Sequence, residues 1–208
     1  MQIRNQTTLY FIRHGETLSN RKNIRQGIQI DDYLDSLGIA QIQKLAKLVS
    51  HLNLDIIFTS YLHRAEETAA LINQALESKI PLLHDYRLRE RDFGSLTGKS
   101  ETECEKIIPG FREAETMQTY DYRKFGGESV DQVRKRALTA ILDISENYDH
   151  KNIGIVTHDG IIALLLFHFP EIPRLYRGQD DGKMVSNADI YEWEITDSRT
   201  ATLKSLIK

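Results

Sequence analysis

The chain has 208 residues, enough for one domain around a single core but not for two full ones. With 40% hydrophobic and 27% charged residues the composition is globular, which excludes disorder as the default state. Lysine and arginine number 27 against 30 acidic residues, so a net charge of −3 excludes the overall basic balance of nonspecific nucleic-acid or anionic-membrane binders, and the single cysteine, Cys104, excludes an intrachain disulfide.

In chain order, Met1–Gln6 carries no apolar core followed by a small-residue cleavage site, so no secretory signal is expected and the cytoplasm is the expected compartment. Leu9–Ile12 is a compact apolar run ending in Arg13-His14-Gly15, which predicts a buried strand and a turn leading to Thr17, Ser19 and Asn20. Residues 37–52 keep helical apolar spacing, with Lys44, Lys47 and Ser50 on the other face. Asp55–Thr59 predicts a second strand, Ser60 a polar entry, and about 62–76 a second helix. Ile80–Leu83 predicts a third strand, followed by the charged loop Arg87–Gly94.

The polar stretch after this loop, about 99–126, contains Pro109-Gly110 and reads as a lid insertion. Gly126-Gly127-Glu128-Ser129 reads as a turn and cap for a long helix that Asn147 ends, with Arg136 a structural residue. Ile153–Thr157 predicts a strand, and His158-Asp159-Gly160 turns into an apolar helix, 161–169, stopped by Pro170. Its longest apolar run, Ile161–Phe167, is far short of the roughly 20 residues that span a bilayer. Residues 188–195 and 200–206 alternate, which predicts two closing strands paired as a hairpin at a sheet edge.

Strands alternating with helices predict an α/β fold: a three-layer α/β/α sandwich around a mostly parallel sheet, with ligands bound beyond the carboxyl ends of the strands. Arg13-His14, Ser60 with Arg64, and His158 all fall at such ends. Two arginines and two imidazoles beside backbone N–H groups suit a tetrahedral oxyanion such as phosphate. His14, His158 and Glu90 also spell a two-histidine-one-carboxylate metal set. Charge argues against it: at about 4 Å and an effective dielectric near 20, each arginine repels a unit positive charge by roughly 4 kcal/mol. Without a metal, a neutral imidazole is a competent nucleophile for phosphorus, and nearby arginines keep it neutral. Glu90 is suited to protonate a leaving oxygen and then to activate water, with Asp92 its nearest rival.

Each residue has a plainer reading. Arg64 pairs with Glu67 on an exposed helix, Glu90 with Arg87, Arg89 or Arg91, and His158 is a capped turn residue. His51, His63, His84, His150 and His168 lack strand-end context and read as surface or packing residues, and Cys104 as an ordinary thiol.

The run Leu9–Asn20, with its Arg13-His14-Gly15-Glu16-Thr17 core, resembles the signature of the histidine phosphatase superfamily, which includes the cofactor-dependent phosphoglycerate mutases. Gln26-Gly27, Leu34 with Leu37-Gly38, Ser60–Thr68, Leu88–Gly98, Gly126–Ser129 with Arg136, and Val156-Thr157-His158 follow in the family's order. The resemblance implies a single phosphoglycerate mutase-like domain over residues 1–208, with His14 phosphorylated, Arg13, Arg64 and His158 holding the phosphoryl group, and Glu90 donating the proton. It sets Asn20, Gln26 and Gly27 beside the transferred phosphate and Ser60 at the mouth of the same pocket. Family mutases have a longer insertion with an adjacent arginine pair, where this chain has only Arg123-Lys124, and usually a histidine where Asp92 stands.

The resemblance therefore implies a histidine acid phosphatase-like phosphomonoesterase that needs no cofactor and acts on a small-molecule phosphomonoester. The alternatives are a phosphoglycerate mutase and a non-catalytic phosphate-binding module. Substrate choice would fall to Lys99, Lys106, Arg112, Arg123 and Lys124. No nucleic-acid or membrane partner is expected, and a homodimer is left open.

Overall fold

The computed structural model describes residues 7–77, 79–149, 151–178 and 183–207. The readings made at Met1–Gln6 and at His150 lie outside them. Strand β1 (Thr7–Arg13) forms from the first apolar run and is followed by the short helix α1 (Leu18–Arg21). Helix α2 (Ser36–Val49), strand β2 (Ile56–Thr59), helix α3 (His63–Ala75) and strand β3 (Leu82–His84) come next. Helices α4 (Glu101–Ile107), α5 (Phe111–Thr116) and α6 (Val130–Asn147) lead to strand β4 (Asn152–Thr157) and helix α7 (Asp159–His168). Strands β5 (Arg174–Tyr176) and β6 (Ile190–Ile195) and helix α8 (Asp197–Ile207) close the chain.

The six strands form one sheet in the order β3-β2-β4-β1-β6-β5. The pairs β3-β2, β2-β4 and β4-β1 are parallel, whereas β6 is antiparallel to both β1 and β5. The mostly parallel sandwich is therefore present. Alternation along β1 splits the core: Leu9 and Phe11 pack with α6, α7 and α8, while Tyr10 and Ile12 pack with α2 and α3. Both faces are covered, which explains why β1 and β4 read as continuous apolar runs.

The closing hairpin is corrected. Residues 200–206 lie in α8, because Leu203, Leu206 and Ile207 at spacings of three and four form one apolar stripe against the core beside α6. The partners of β6 are β1 and the three-residue β5, which was too short to be read from sequence. Residues 99–126 hold α4 and α5, whose Cys104 and Phe111 join Tyr120 and Tyr122 in a small third cluster against Val133, Ala137, Ile161 and Leu164. Among the described residues, no helix is long and apolar enough to cross a membrane.

Candidate active site

The site is made by register. Parallel pairing sets Arg13 opposite Thr157 and Thr59 opposite Val156, so the residues that follow, His14, His158 and Ser60, leave the sheet side by side. The His14 and His158 rings stand 5.2 Å apart between centroids. His14 Nδ1 lies 2.7 Å from the Gly15 carbonyl, an acceptor only, so Nδ1 carries the hydrogen and Nε2 keeps its lone pair. Burial first, then the positive charges of Arg64 and Arg13, hold the His14 imidazole well below its ordinary pKa. Burial, then Arg64 and His14, act on His158 in the same direction.

Two buried guanidiniums flank His14. Arg13 donates to the Val185 carbonyl at 2.6 Å. Arg64, in the first turn of α3, donates to the carbonyls of Ile30 at 3.1 Å and Gly27 at 2.8 Å, and Asp31 lies 3.7 Å away. It makes no pair with Glu67, whose carboxylate instead accepts from the Leu34 N–H at 2.8 Å. Gly27 has φ +54, where a side chain is strained, and a Cβ there would also meet the Arg91 carbonyl at 3.1 Å.

Glu90 is inside the site and not on a surface loop. Its carboxylate accepts from the Arg91 N–H at 2.9 Å and the Gly160 N–H at 3.3 Å. A Cβ on Gly160 would come within 2.3 Å of Glu90 Oε1, so a side chain there would push the Glu90 carboxylate out of its place. Asp92, the rival carboxylate, is engaged with the Gly94 N–H at 2.8 Å and with Gln29.

Arg13, His14, Asn20, Gln26, Gly27, Arg64 and Glu90 line one space of about 60 Å³, large enough for a small oxyanion. Asn20 accepts from Thr17, and Gln26 donates to Thr17 Oγ1 at 2.9 Å, so the turn itself fixes both. His158 and Ser60 do not line this space. Both are fully buried behind His14, with His158 Nε2 2.8 Å from Ser60 Oγ. Ser60 is thus not at the pocket mouth: the oxygen that sequence reading turned toward a ligand is spent on orienting an imidazole.

Sequence reading missed Asn187, whose Nδ2 donates to the carbonyls of His14 at 3.1 Å and Gly15 at 3.2 Å and to Asn20 Oδ1. It comes from the loop before β6, 173 positions from His14, and no local pattern marks it. Asp159 was also missed, although its place next to His158 was a signal. Of the five basic residues assigned to substrate choice, only Arg112 lines the larger cavity that continues from the pocket. Arg123 is instead paired with Asp121 at 2.5 Å on the surface.

A mostly parallel sheet that gathers an uncharged imidazole, two buried guanidiniums and a carboxyl group beyond its strand ends defines an oxyanion-handling α/β protein. The sequence pattern described as histidine phosphatase superfamily (branch 1) matches residues 9–206, and the chain belongs to that superfamily. It is 34% identical over 131 residues to fructose-2,6-bisphosphatase TIGAR of Xenopus tropicalis, a match covering 62% of this chain and 46% of that protein, so it spans less than half of that relative. A probable phosphatase of Schizosaccharomyces pombe is 28% identical over 200 residues, covering 92% of this chain and 88% of its own. Among solved structures, YhfR of Bacillus stearothermophilus superposes with a TM-score of 0.77 at 29% identity over 92% of each chain.

Proposed function

We propose that the protein is a metal-independent phosphomonoester hydrolase that works through a covalent phosphohistidine on His14. The observation that carries this reading is the His14 tautomer: Nδ1 is tied to Gly15, and Nε2 is the unprotonated nitrogen of a ring kept neutral between two arginines. Nε2 attacks phosphorus as the bond from phosphorus to the leaving oxygen breaks, and Glu90 gives that oxygen its proton. Water then attacks the phosphohistidine, Glu90 recovers a proton from it, and the N–P bond breaks to release phosphate and neutral imidazole. Arg13 and Arg64 neutralise the equatorial oxygens in both steps. His158, held by Ser60 at Nε2, packs its ring 5.2 Å from that of His14 and backs the nucleophile from outside the phosphate space.

Hydrolysis is favoured over mutase chemistry. The basic pair Arg123-Lys124 does not line the cavity, and Asp92, where family mutases usually have histidine, is engaged with backbone. The test is His14→Ala, assayed for phosphate release from p-nitrophenyl phosphate and for labelling by a radioactive phosphomonoester in an acid-labile, alkali-stable bond. Loss of turnover by about 10⁴-fold or more, with loss of label, is expected. Full turnover in a folded variant would sink the mechanism.

A further inference from the structure

Beyond the phosphate pocket the cleft opens into a cavity of about 930 Å³, where the leaving group of a phosphomonoester would sit. Four basic residues line it besides Arg13: Arg25, Arg91, Arg112 and Lys183. The three arginines are already matched. Arg25 and Arg112 share the Glu101 carboxylate, at 2.8 Å and 2.6 Å, and Arg91 is 3.0 Å from Glu115. Lys183 stands on the rim, where its charge acts on Glu16. Asp159, the first residue of α7, is different: its half-buried carboxylate lines both the phosphate pocket and the larger cavity, and although its charge acts on Arg91, no hydrogen bond or close ion pair holds its side chain among the described residues.

An acceptor-only carboxylate beside the reacting phosphate, with the neighbouring guanidiniums neutralised, sets the electrostatics of this cavity. A second phosphate or carboxylate on the substrate meets the Asp159 charge at close range, while Arg13 is taken by the reacting phosphate and Arg25, Arg91 and Arg112 are each held by a carboxylate, which leaves Lys183 as the remaining cation of the lining. A hydroxyl or ammonium donates to Asp159 and leaves nothing buried and unpaired. We infer that Asp159 is a specificity residue, and that the substrates are phosphomonoesters whose leaving alcohol carries hydrogen-bond donors near the ester oxygen and no second anionic group.

This inference rests on the phosphatase reading and sharpens it. Glycerol 3-phosphate and 3-phosphoglycerate form a suitable probe pair, since they differ only in a hydroxymethyl against a carboxylate. The wild-type kcat/KM is expected to favour glycerol 3-phosphate by about tenfold or more. Asp159→Asn should bring the ratio towards one, and phosphoethanolamine turnover should fall in the same variant. Glu101→Gln, at the partly exposed start of α4 on the cavity wall, frees Arg25 and Arg112 and should move the ratio the same way without touching Asp159. A wild-type preference for 3-phosphoglycerate, or a ratio unchanged in Asp159→Asn, overturns the specificity assignment while p-nitrophenyl phosphate turnover keeps the phosphatase reading intact. No phosphate release from any of these compounds overturns both.

Discussion

His14 and His158 are two imidazoles that the folded chain refuses to protonate, and this has a measurable cost. Each has its pKa lowered in the folded state by burial first and by neighbouring cations second. In the unfolded chain each titrates near 6.5. Above that value both states are neutral and the histidines make no difference. Below it the unfolded chain takes up protons that the folded one cannot, so stability is lost as pH falls, by up to about 1.4 kcal/mol per pH unit for each histidine. Urea unfolding between pH 7 and pH 5 should therefore show a steep decline, and His14→Asn should flatten it by about the share of one histidine. Equal slopes in the two proteins would mean that His14 is not held neutral. The same lowering predicts that the acid limb of kcat/KM lies well below pH 6.5, because Nε2 remains a free base throughout the weakly acidic range.

At the scale of elements, α6 governs the Glu90 loop. Arg136 spends its guanidinium on the carbonyls of Arg87 at 2.7 Å, Arg89 at 2.8 Å and Glu90 at 3.0 Å, and on Glu128 at 2.8 Å and 2.9 Å. It acts through Glu90 and is a positioning residue. Arg136→Met should therefore hurt substrates that need a proton on the leaving oxygen: about 10- to 100-fold for an alkyl phosphate, but under about 3-fold for p-nitrophenyl phosphate, whose leaving group departs unaided. Equal losses on both would reduce Arg136 to a fold-stabilising role. The clamp also marks the limit of what the sequence could convey. Arg13, His14, Arg64 and His158 were legible because each follows an apolar run that could only be a buried strand, and parallel pairing brings strand ends together. Asn187 was not, because it reaches the His14 carbonyl from a loop with no periodicity of its own. The stretch 200–206 misled because Thr200 and Thr202 mimic strand alternation, while the stripe that decides the matter, Leu203 with Leu206 and Ile207, gains its meaning only from the core face above α6.

For the whole molecule, a net charge of −3 hides a pocket in which Arg64 is lowered chiefly by burial, with Glu90, Asp31 and Asp32 opposing that shift and Arg13 adding the smallest push in the same direction as burial. A phosphate dianion gives the two buried guanidiniums a counter-charge and binds the folded chain alone, so it should stabilise by mass action, by about 2.7 kcal/mol at a concentration 100 times its Kd. In a domain of this size that corresponds to roughly 5–10 °C in Tm. Inorganic phosphate, compared with chloride at equal ionic strength, should raise Tm by this order, and Arg64→Met should abolish the rise. Adding EDTA separates the two chemistries this pocket has been asked to hold. If guanidiniums and imidazole bind the anion, both the Tm shift and turnover survive the chelator; if the chemistry depends on a metal, both disappear and return with added divalent cation. Equal Tm values in phosphate and chloride would deny the pocket its oxyanion, whatever the chelator does.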